Sequence, residues 1–423
     1  MTRPVLLGAI WSLFLLASCL NLSYLLRRFP TPPKYAWLWI TLIALFARLI
    51  PNVILPMGAE YDIESFRIAG SLILQREDVY ASPLAIDRHP YLPLQMYWMA
   101  AAVWIADNLN LSYVAVFRLL PIFADLGVAL LLFQIIRVKD QQAAFHGALW
   151  YALCPIPVFV SAYHGQFDGL PILLIMVALY YLGRSTWLSG MWMGFAILAK
   201  SWPVLALPAL IQGVRKLREK GYFLLFASLV PLIGVIAYSI LFKADVWNVL
   251  TRALSYNRGV GVFGYTYFIR LLWWLDLVNQ KVFEFAINYG RFLTLAILGL
   301  VWIVRGRKEA PAAGILTVLI TFFAVTHAFA IQYLGWLIPF GILNSEYRWL
   351  KWYSLAAFGY MSLVYFTLIL DNSITRLLPW PQADMFIIIP ASILVWLVCL
   401  AWMLTRLRGD RSITGEVEPA LKI

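Results

Sequence analysis

Three acidic residues stand close together in the segment Gly58–Arg67, directly after a long apolar run. They are Glu60, Asp62 and Glu64. A carboxylate in such a place can take the proton of an attacking hydroxyl group, which is general-base chemistry. On a helix, Glu60 and Glu64 lie one turn apart and Asp62 points elsewhere, so we expect one or two of these acids at most to face one pocket. The alternative is that the acids only favour a helix N-terminus, where they meet the positive end of the dipole.

A turn fixed by two prolines follows at Asp87–Leu94 and carries Arg88 and His89. Acidic and basic side chains on a rigid turn beside a membrane indicate a binding edge. Interfacial anchoring by polar and aromatic residues would produce the same pattern, and this alternative stays open.

A second polar turn, Ala162–Gly169, places His164, Gln166 and Asp168 between glycines. An exposed turn of this composition indicates a binding site. The alternative is an ordinary loop between helices in which Asp168 caps the helix that follows. One histidine and one aspartate at this spacing are a weak metal signal, so we expect no cofactor and do not favour a divalent metal.

Several basic and amide side chains later in the chain are further candidates. Lys200 lies where two short apolar segments meet, and it either snorkels along apolar surface or binds a phosphate. Arg252 and Arg258 add positive charge to a later loop. Gln332 and Tyr333 begin a Gln-Tyr-x-x-Trp-x-x-Pro string, which an aromatic membrane belt would also explain.

The composition decides which elements must position these residues. Of the 423 residues 62% are apolar and only 13% charged, against roughly 45–50% and about 25% in soluble domains. The apolar residues fall into runs long enough to cross a bilayer, which predicts an all-α polytopic membrane protein with about 11 to 13 spans and excludes a soluble enzyme. The predicted spans are 5–26, 36–56, 113–136, 143–162, 168–183, 187–200, 203–213, 222–242, 284–304, 310–329, 331–344, 351–370 and 384–405.

The charges orient these spans. Basic residues cluster in alternate loops, and the loops of that one side account for the whole net charge of +12, so this side is predicted to be cytoplasmic and no nucleic-acid partner is expected. Residues 92–107 are apolar enough to cross, but a crossing there would turn the later basic clusters outward. We therefore predict that this segment lies along the outer surface as a helix.

The predicted organisation follows from that orientation. The N-terminal run is expected to be a retained span rather than a signal peptide. The predicted parts are N-terminal spans at 1–56, an external catalytic loop with surface helices at 57–112, a transmembrane core at 113–242, a second external loop at 243–283, C-terminal spans at 284–406 and a cytoplasmic tail at 407–423.

The first external loop has a specific resemblance. The string from Asp62 to Arg67, followed by a tyrosine-containing stretch and a Pro-x-x-Pro-Leu turn, resembles the first external loop of integral-membrane glycosyltransferases with the GT-C fold. It is similar in particular to glucosyltransferases of N-glycan assembly and to mannosyltransferases of GPI and bacterial glycolipid assembly. Further resemblances to motifs of these enzymes follow in chain order, at the His164 turn, at Lys200 to Pro203, at Asn257-Arg258-Gly259 and at the Gln332 string.

This resemblance implies both an activity and a set of site residues. The activity would be the inverting transfer of a hexosyl residue, mannosyl or glucosyl, from a polyprenyl-phosphate donor to a lipid-linked or glycolipid acceptor on the extracytoplasmic face. Asp62 would be the general base and Lys200 would meet the donor phosphate. The residues expected to bind donor or acceptor are Glu64, Arg88, His89, His164, Gln166, Asp168, Lys200, Arg252, Arg258, Gln332 and Tyr333.

Two other functions stay open at this point. A transporter or flippase for lipid-linked sugars also places charged residues at breaks between half-spans, although its polar residues would gather near the midplane. A scaffold subunit without catalytic activity would have the same composition.

Overall fold

The computed structural model describes residues 2–27, 31–86, 88–255 and 259–409. These residues are largely helical, as predicted, and a single bridge between Val260 and Ala328 is the strand-like pairing within them. The α-helices in chain order are α1 (Arg3–Leu20), α2 (Leu22–Leu26), α3 (Ala36–Ile54), α4 (Glu60–Leu74), α5 (Leu94–Leu109), α6 (Tyr113–Phe117), α7 (Leu119–Ile136), α8 (Gln141–Leu153), α9 (Pro155–Val158), α10 (Gly169–Tyr181), α11 (Thr186–Ala199), α12 (Leu207–Gly213), α13 (Leu217–Phe242), α14 (Val246–Ser255), α15 (Gly264–Trp274), α16 (Gln280–Val304), α17 (Pro311–Val325), α18 (Leu337–Leu343), α19 (Tyr347–Val364), α20 (Ile374–Leu377) and α21 (Ile389–Arg408).

Shorter helical turns extend some of these helices. The π-helical turns are Phe159–His164, Tyr365–Ile369 and Asp384–Ile388, and the 3-10 turns are Trp202–Ala206, Gly306–Lys308 and Ile331–Gly335.

Among the described residues, 7 helices are long and apolar enough to cross a membrane, or up to 8 if a bent pair counts as one span. The bent pair is Gln141–Leu153 with Pro155–His164. Shorter apolar helices occupy the remaining predicted spans, at Gly169–Tyr181, Thr186–Ala199, Trp202–Gly213, Pro311–Val325 and Ile331–Leu343. Helices dominate because each satisfies its own backbone hydrogen bonds, which lipid cannot do. The prediction of an all-α polytopic membrane protein is confirmed.

The chain forms two compact units. Unit 1 consists of Met1–Leu25, Cys154–Ile156 and Asn257–Lys422, and unit 2 consists of Leu26–Leu153 and Pro157–Tyr256. In unit 2, α11 packs against α10 and α13, and α7 packs against α3, α8 and α10. In unit 1, α21 packs against α17 and α19, and α16 packs against α15 and α17.

The helices α4 and α5 of unit 2 belong to the predicted external loop. They pack against each other through a buried apolar core that includes Phe66, Met96 and Met99. The α5 helix has 16 residues and is not among the helices long enough to cross a membrane. Its bounds lie within two residues of the surface helix predicted at 92–107.

Buried charges stabilise each unit. In unit 2, Nε of Arg48 lies 2.8 Å from Oδ2 of Asp125, and the Tyr151 hydroxyl donates to Oδ1 of the same carboxylate at 2.8 Å. In unit 1, the Arg406 guanidinium pairs with Glu309 at 3.1 Å and also with Glu346. A buried charge is tolerated when such a partner satisfies it, and removing one partner is costly.

Candidate active site

The first turn of α4 carries Asp62, and the backbone holds this turn against a distant part of the chain. The Ala59 N–H donates to the carbonyl oxygen of His164 at 3.1 Å, just before α4 begins at Glu60. Gly58 makes this approach possible, because a Cβ there would lie only 2.7 Å from the same His164 oxygen. Asp62 and His164 therefore belong to two backbone segments that touch.

The second segment is the π-helical turn that ends at His164. Its C-cap, Gly165, has φ +86°, and a Cβ there would lie 2.7 Å from Cδ1 of Ile63. The Gln166 N–H then bonds back to the Val160 carbonyl at 3.0 Å. Single π turns of this kind are often found at functional sites, since the wider turn re-aims the side chains that follow it.

Two side chains of this second segment bond the Asp62 carboxylate, and both bond the same oxygen. Nε2 of His164 lies 2.8 Å from Oδ2, and Nε2 of Gln166 donates to Oδ2 at 2.6 Å. Because a carboxylate is an acceptor, the histidine nitrogen that faces it carries the hydrogen. Oδ1 has no hydrogen-bond partner among the described residues. One oxygen of Asp62 is thus held and the other is open.

The surroundings favour the ionised form of Asp62. The side chain is 28% exposed. Burial raises the pKa of this carboxyl, but the hydrogen bond and charge of His164, the hydrogen bond of Gln166 and the charge of Lys200 outweigh it, so the pKa lies below the ordinary value of 3.8. Asp62 is therefore a carboxylate at neutral pH and can accept a proton.

A buried ion pair continues the chain of hydrogen bonds behind Gln166. Nζ of Lys200 lies 2.6 Å from Oδ2 of Asp168 and 3.3 Å from Oε1 of Gln166. The side chains of Lys200 and Asp168 are only 4% and 1% exposed. We call the connected side chains the Asp62 chain; its members are His164, Asp62, Gln166, Lys200 and Asp168.

Neither helix capping by Asp168 nor snorkelling by Lys200 describes this ion pair. Asp168 precedes α10 but makes no side-chain capping bond to it. Lys200 does not snorkel outward either, because its ammonium group lies over the rings of Tyr91 and Phe167, at 5.0 and 4.7 Å from their centroids. These are cation–π distances within a buried setting.

Arg118 is a buried residue that the sequence analysis does not name. Its guanidinium donates to the carbonyl oxygens of Leu55 at 2.8 Å, Met57 at 2.6 Å and Tyr163 at 2.5 Å. The first two carbonyls precede α4 and the third directly precedes His164. Arg118 thus joins the two segments that carry the Asp62 chain. An arginine near the start of an apolar span is the sequence signal that could have identified it.

The polar turn at Arg88 and His89 lies in the same unit but is bonded differently. Arg88 donates to Glu64 at 3.0 Å and lies over the Tyr61 ring, 4.9 Å from its centroid. Glu64 therefore forms an ion pair with Arg88, and it makes no hydrogen bond to Asp62 among the described residues.

His89 does not form an exposed binding edge. It is buried against the rings of Tyr80 and Tyr91, with neither ring nitrogen hydrogen-bonded among the described residues. Burial lowers the pKa of His89 to about 3, so its ring is neutral.

The remaining predicted residues are not part of the Asp62 chain. Arg252 lies on α14 of unit 2. Arg258 lies outside the described residues. Gln332 and Tyr333 lie in unit 1, on the 3-10 turn Ile331–Gly335, where Tyr333 packs against Trp336 with centroids 4.3 Å apart.

The chemical capacity of the Asp62 chain is that of a preorganised base. Within the part of the chain that the structure describes, no three His, Cys, Asp or Glu side chains come together in a way that would hold a metal ion. The arrangement instead offers one carboxylate, fixed by two donors and partly exposed, which suits the removal of a proton from a hydroxyl group.

Comparison with known proteins shows the family of the chain. A sequence model described as Glycosyltransferase family 87 matches residues 80–332, a range that holds four members of the Asp62 chain and begins after Asp62 itself. No curated protein matches the chain. Because the match covers more than half of the 423 residues, and because the apolar helices of the matched region are those of a membrane protein, the chain belongs to glycosyltransferase family 87 and is an integral-membrane glycosyltransferase.

Proposed function

We propose that this enzyme transfers a mannosyl or glucosyl residue from a polyprenyl-phosphate donor to a lipid-linked or glycolipid acceptor, with inversion at the anomeric carbon. Asp62 is the general base. The reaction takes place on the extracytoplasmic face of the membrane, and the C-terminus lies in the cytoplasm.

The observation that carries the proposal is the unequal bonding of the two Asp62 oxygens. Oδ2 accepts hydrogen bonds from His164 and Gln166, whereas Oδ1 has no partner among the described residues. Donors on Oδ2 keep the carboxylate ionised and fix its orientation, so Oδ1 is the atom that receives a proton.

The proposed step balances in atoms and charge. The acceptor hydroxyl oxygen attacks the anomeric carbon while its proton passes to Oδ1 of Asp62. The bond between the anomeric carbon and the phosphate oxygen breaks, and its electron pair leaves with the lipid phosphate. Because the proton moves only as the new bond forms, an ordinary carboxylate is basic enough, and general-base help of this kind is worth about 10²- to 10⁴-fold.

The donor class follows from the orientation predicted by the basic loops. A site on the extracytoplasmic face has no access to cytosolic nucleotide sugars, so the activated sugar has to arrive in the membrane. A polyprenyl phosphate meets this need because its chain stays in the bilayer while its phosphate and sugar lie at headgroup depth. Arg252 and Arg258 are the cations that the sequence supplies for the leaving phosphate.

The test is sugar transfer by purified Asp62→Asn enzyme in proteoliposomes that contain polyprenyl-phosphate mannose or glucose and membrane glycolipid acceptors. The amide keeps the shape of the side chain but cannot accept the proton, so we expect transfer to fall by about 10²- to 10⁴-fold. Binding of the donor lipid should persist, because the substitution removes no positive charge.

Asp107→Asn is the matched control. Asp107 is an exposed aspartate on α5 whose side chain, among the described residues, forms one long pair, 3.5 Å, with Arg67. Transfer by this variant should equal that of the unchanged enzyme. Equal transfer by the Asp62→Asn variant would remove Asp62 from the mechanism, and transfer from a nucleotide sugar alone would remove the lipid donor.

A further inference from the structure

Lys200 belongs to the Asp62 chain, and the sequence resemblance implies that it binds the donor phosphate. The structure encloses it instead. Its ammonium group is 2.6 Å from Asp168, both side chains are almost completely buried, and two aromatic rings cover it. A lysine held in this way has its charge already balanced before any substrate binds.

The second bond of Lys200 has a chemical consequence for Gln166. An ammonium group has three donors and no acceptor, so the atom of Gln166 that faces it at 3.3 Å has to be the carbonyl oxygen Oε1. The amide nitrogen then faces Asp62, which it reaches at 2.6 Å. The reversed amide would set NH2 against an ammonium group and an oxygen against a carboxylate, and both contacts would be repulsive.

We infer that Lys200 is a positioning residue that acts through Gln166: it fixes the orientation of the amide so that Oδ2 of Asp62 always receives a donor and Oδ1 remains the proton acceptor. Asp168 holds the ammonium group in place for this purpose. The inference deepens the proposed function, on which it rests for the identity of Asp62 as the base.

The electrostatics agree with the geometry. The hydrogen bond of Gln166 and the charge of Lys200 are two of the influences that lower the pKa of Asp62 against the effect of its burial. Without them, the pKa of the carboxyl would rise relative to its value in the unchanged chain. Both influences act in the free enzyme, before any donor phosphate binds.

The test measures the protonation of Asp62 without any substrate. The infrared absorption of the protonated carboxyl group is followed as pH falls, and the spectrum of the Asp62→Asn protein is subtracted to isolate the band of Asp62. The proteins compared are the unchanged chain, Lys200→Arg, the double variant Lys200→Met with Asp168→Asn, and Gln166→Leu. The double variant avoids leaving Asp168 buried without its cation.

We expect the midpoint of the Asp62 titration to rise by about one pH unit in Gln166→Leu and in the double variant, and to stay nearly unchanged in Lys200→Arg, which keeps donors and charge. Adding Gln166→Leu to the double variant should cause little further rise of the Asp62 midpoint. Lys200 acts on Asp62 through Gln166, so the two changes remove the same interaction. An unchanged midpoint in the double variant would overturn the inference, as would a full additional shift in the triple variant.

Steady-state kinetics distinguish a failure of this inference from a failure of the proposed function. Variants that act through the base lower kcat and move the acidic limb of the pH profile, whereas loss of a phosphate ligand raises the KM for the donor and leaves the limb in place. If Asp62→Asn abolishes transfer but the Lys200 variants change only the KM, the positioning role fails and the proposed function stands. If Asp62→Asn transfers normally, the proposed function fails whatever the infrared titration shows.

If the Lys200 variants do not fold, the same infrared titration is measured on Gln166→Glu. Its carboxylate still accepts from Lys200 but cannot donate to Asp62 and repels its charge. The Asp62 midpoint should then rise, and a midpoint equal to that of the unchanged chain would contradict the role of the amide.

Discussion

Nε2 of His164 lies 2.8 Å from Oδ2 of Asp62, although 102 residues separate them in the chain. A backbone hydrogen bond and an arginine side chain hold the two segments together. The Ala59 N–H bonds the His164 carbonyl in the backbone, and Arg118 joins the preceding residue, Tyr163, to the segment before α4. The geometry of the proposed base is thus set by the packing of two segments.

Replacing His164 should lower the rate, because it removes one of the two donors that orient the Asp62 carboxylate. Phenylalanine removes the N–H from Oδ2, and a hydrogen bond to a charged group is worth about 1.5–3 kcal/mol, so we expect kcat to fall by about 10- to 100-fold. Glutamine offers an N–H of similar reach and should retain part of the rate. Steady-state transfer assays on the two variants make the comparison, and equal losses would show that the imidazole has a role other than donating to Asp62.

The pH dependence of stability should reveal the ionised state of Asp62. Its pKa in the fold is below 3.8, so the carboxylate stabilises the fold at pH values above the unfolded pKa of about 3.9, and this contribution is lost as pH falls through the lower folded pKa. Asp62→Asn removes the contribution. Thermal unfolding from pH 7 downward should show a Tm difference between the two proteins that is constant near neutrality and disappears at the acidic end.

A Tm difference that already begins to change near pH 6 would contradict this expectation, because it would place the folded pKa of Asp62 above its ordinary value. Burial would then dominate over the donors of His164 and Gln166. Asp107→Asn is again the control, since an exposed carboxylate in a long ion pair contributes little.

The helices of this protein could be predicted from the sequence because a long apolar run in lipid satisfies its own backbone hydrogen bonds as a helix. The start of α4 could also be predicted, because acids there follow a span and precede an apolar helix. The polar turn at His164 could be found because a histidine, an amide and an acid between glycines have no place in an apolar helix. Local pattern and physical necessity coincide in these three places.

Other parts of the candidate site depend on contacts that no local pattern encodes. Asp168 has the ordinary features of a helix cap, and only the fold shows that Lys200 binds it instead. The three carbonyl groups bound by Arg118 are main-chain atoms, so they leave no trace in residue types. His89 looks polar in sequence, but ring packing buries it.

Chelation of divalent metal should leave sugar transfer unchanged. The proposed step needs a base and a leaving lipid phosphate, and within the described residues no cluster of His, Cys, Asp or Glu is suited to hold a metal ion. The measurement is transfer in proteoliposomes after treatment with EDTA, with and without added Mg²⁺ or Mn²⁺. A loss that either ion restores would require a metal at the donor phosphate and would contradict the metal-free step.

Replacing Arg118 should impair the base without touching any substrate. Methionine at this position matches the unbranched part of the arginine side chain but leaves the carbonyls of Leu55, Met57 and Tyr163 without their donor. Each buried acceptor left unsatisfied costs about 1–3 kcal/mol. We expect a lower Tm and, in the protein that remains folded, a kcat reduced by about tenfold or more, because a displaced base loses its alignment with the acceptor. Lysine should restore part of both, since it can still bind one or two of the carbonyls.

The matched control is Arg67→Met, an arginine of the same unit whose side chain is 57% exposed, forms a long pair with Asp107 and lies 5.8 Å from the centroid of the Tyr113 ring. It should change neither Tm nor kcat appreciably, because exposed pairs contribute little. Folded protein is counted by size-exclusion chromatography, so that kcat refers to intact enzyme alone. If folded Arg118→Met enzyme had the kcat of the unchanged protein, Arg118 would stabilise the fold without positioning Asp62 and His164, and the approach of the two segments would have to depend on the Ala59 backbone bond and on Gly58.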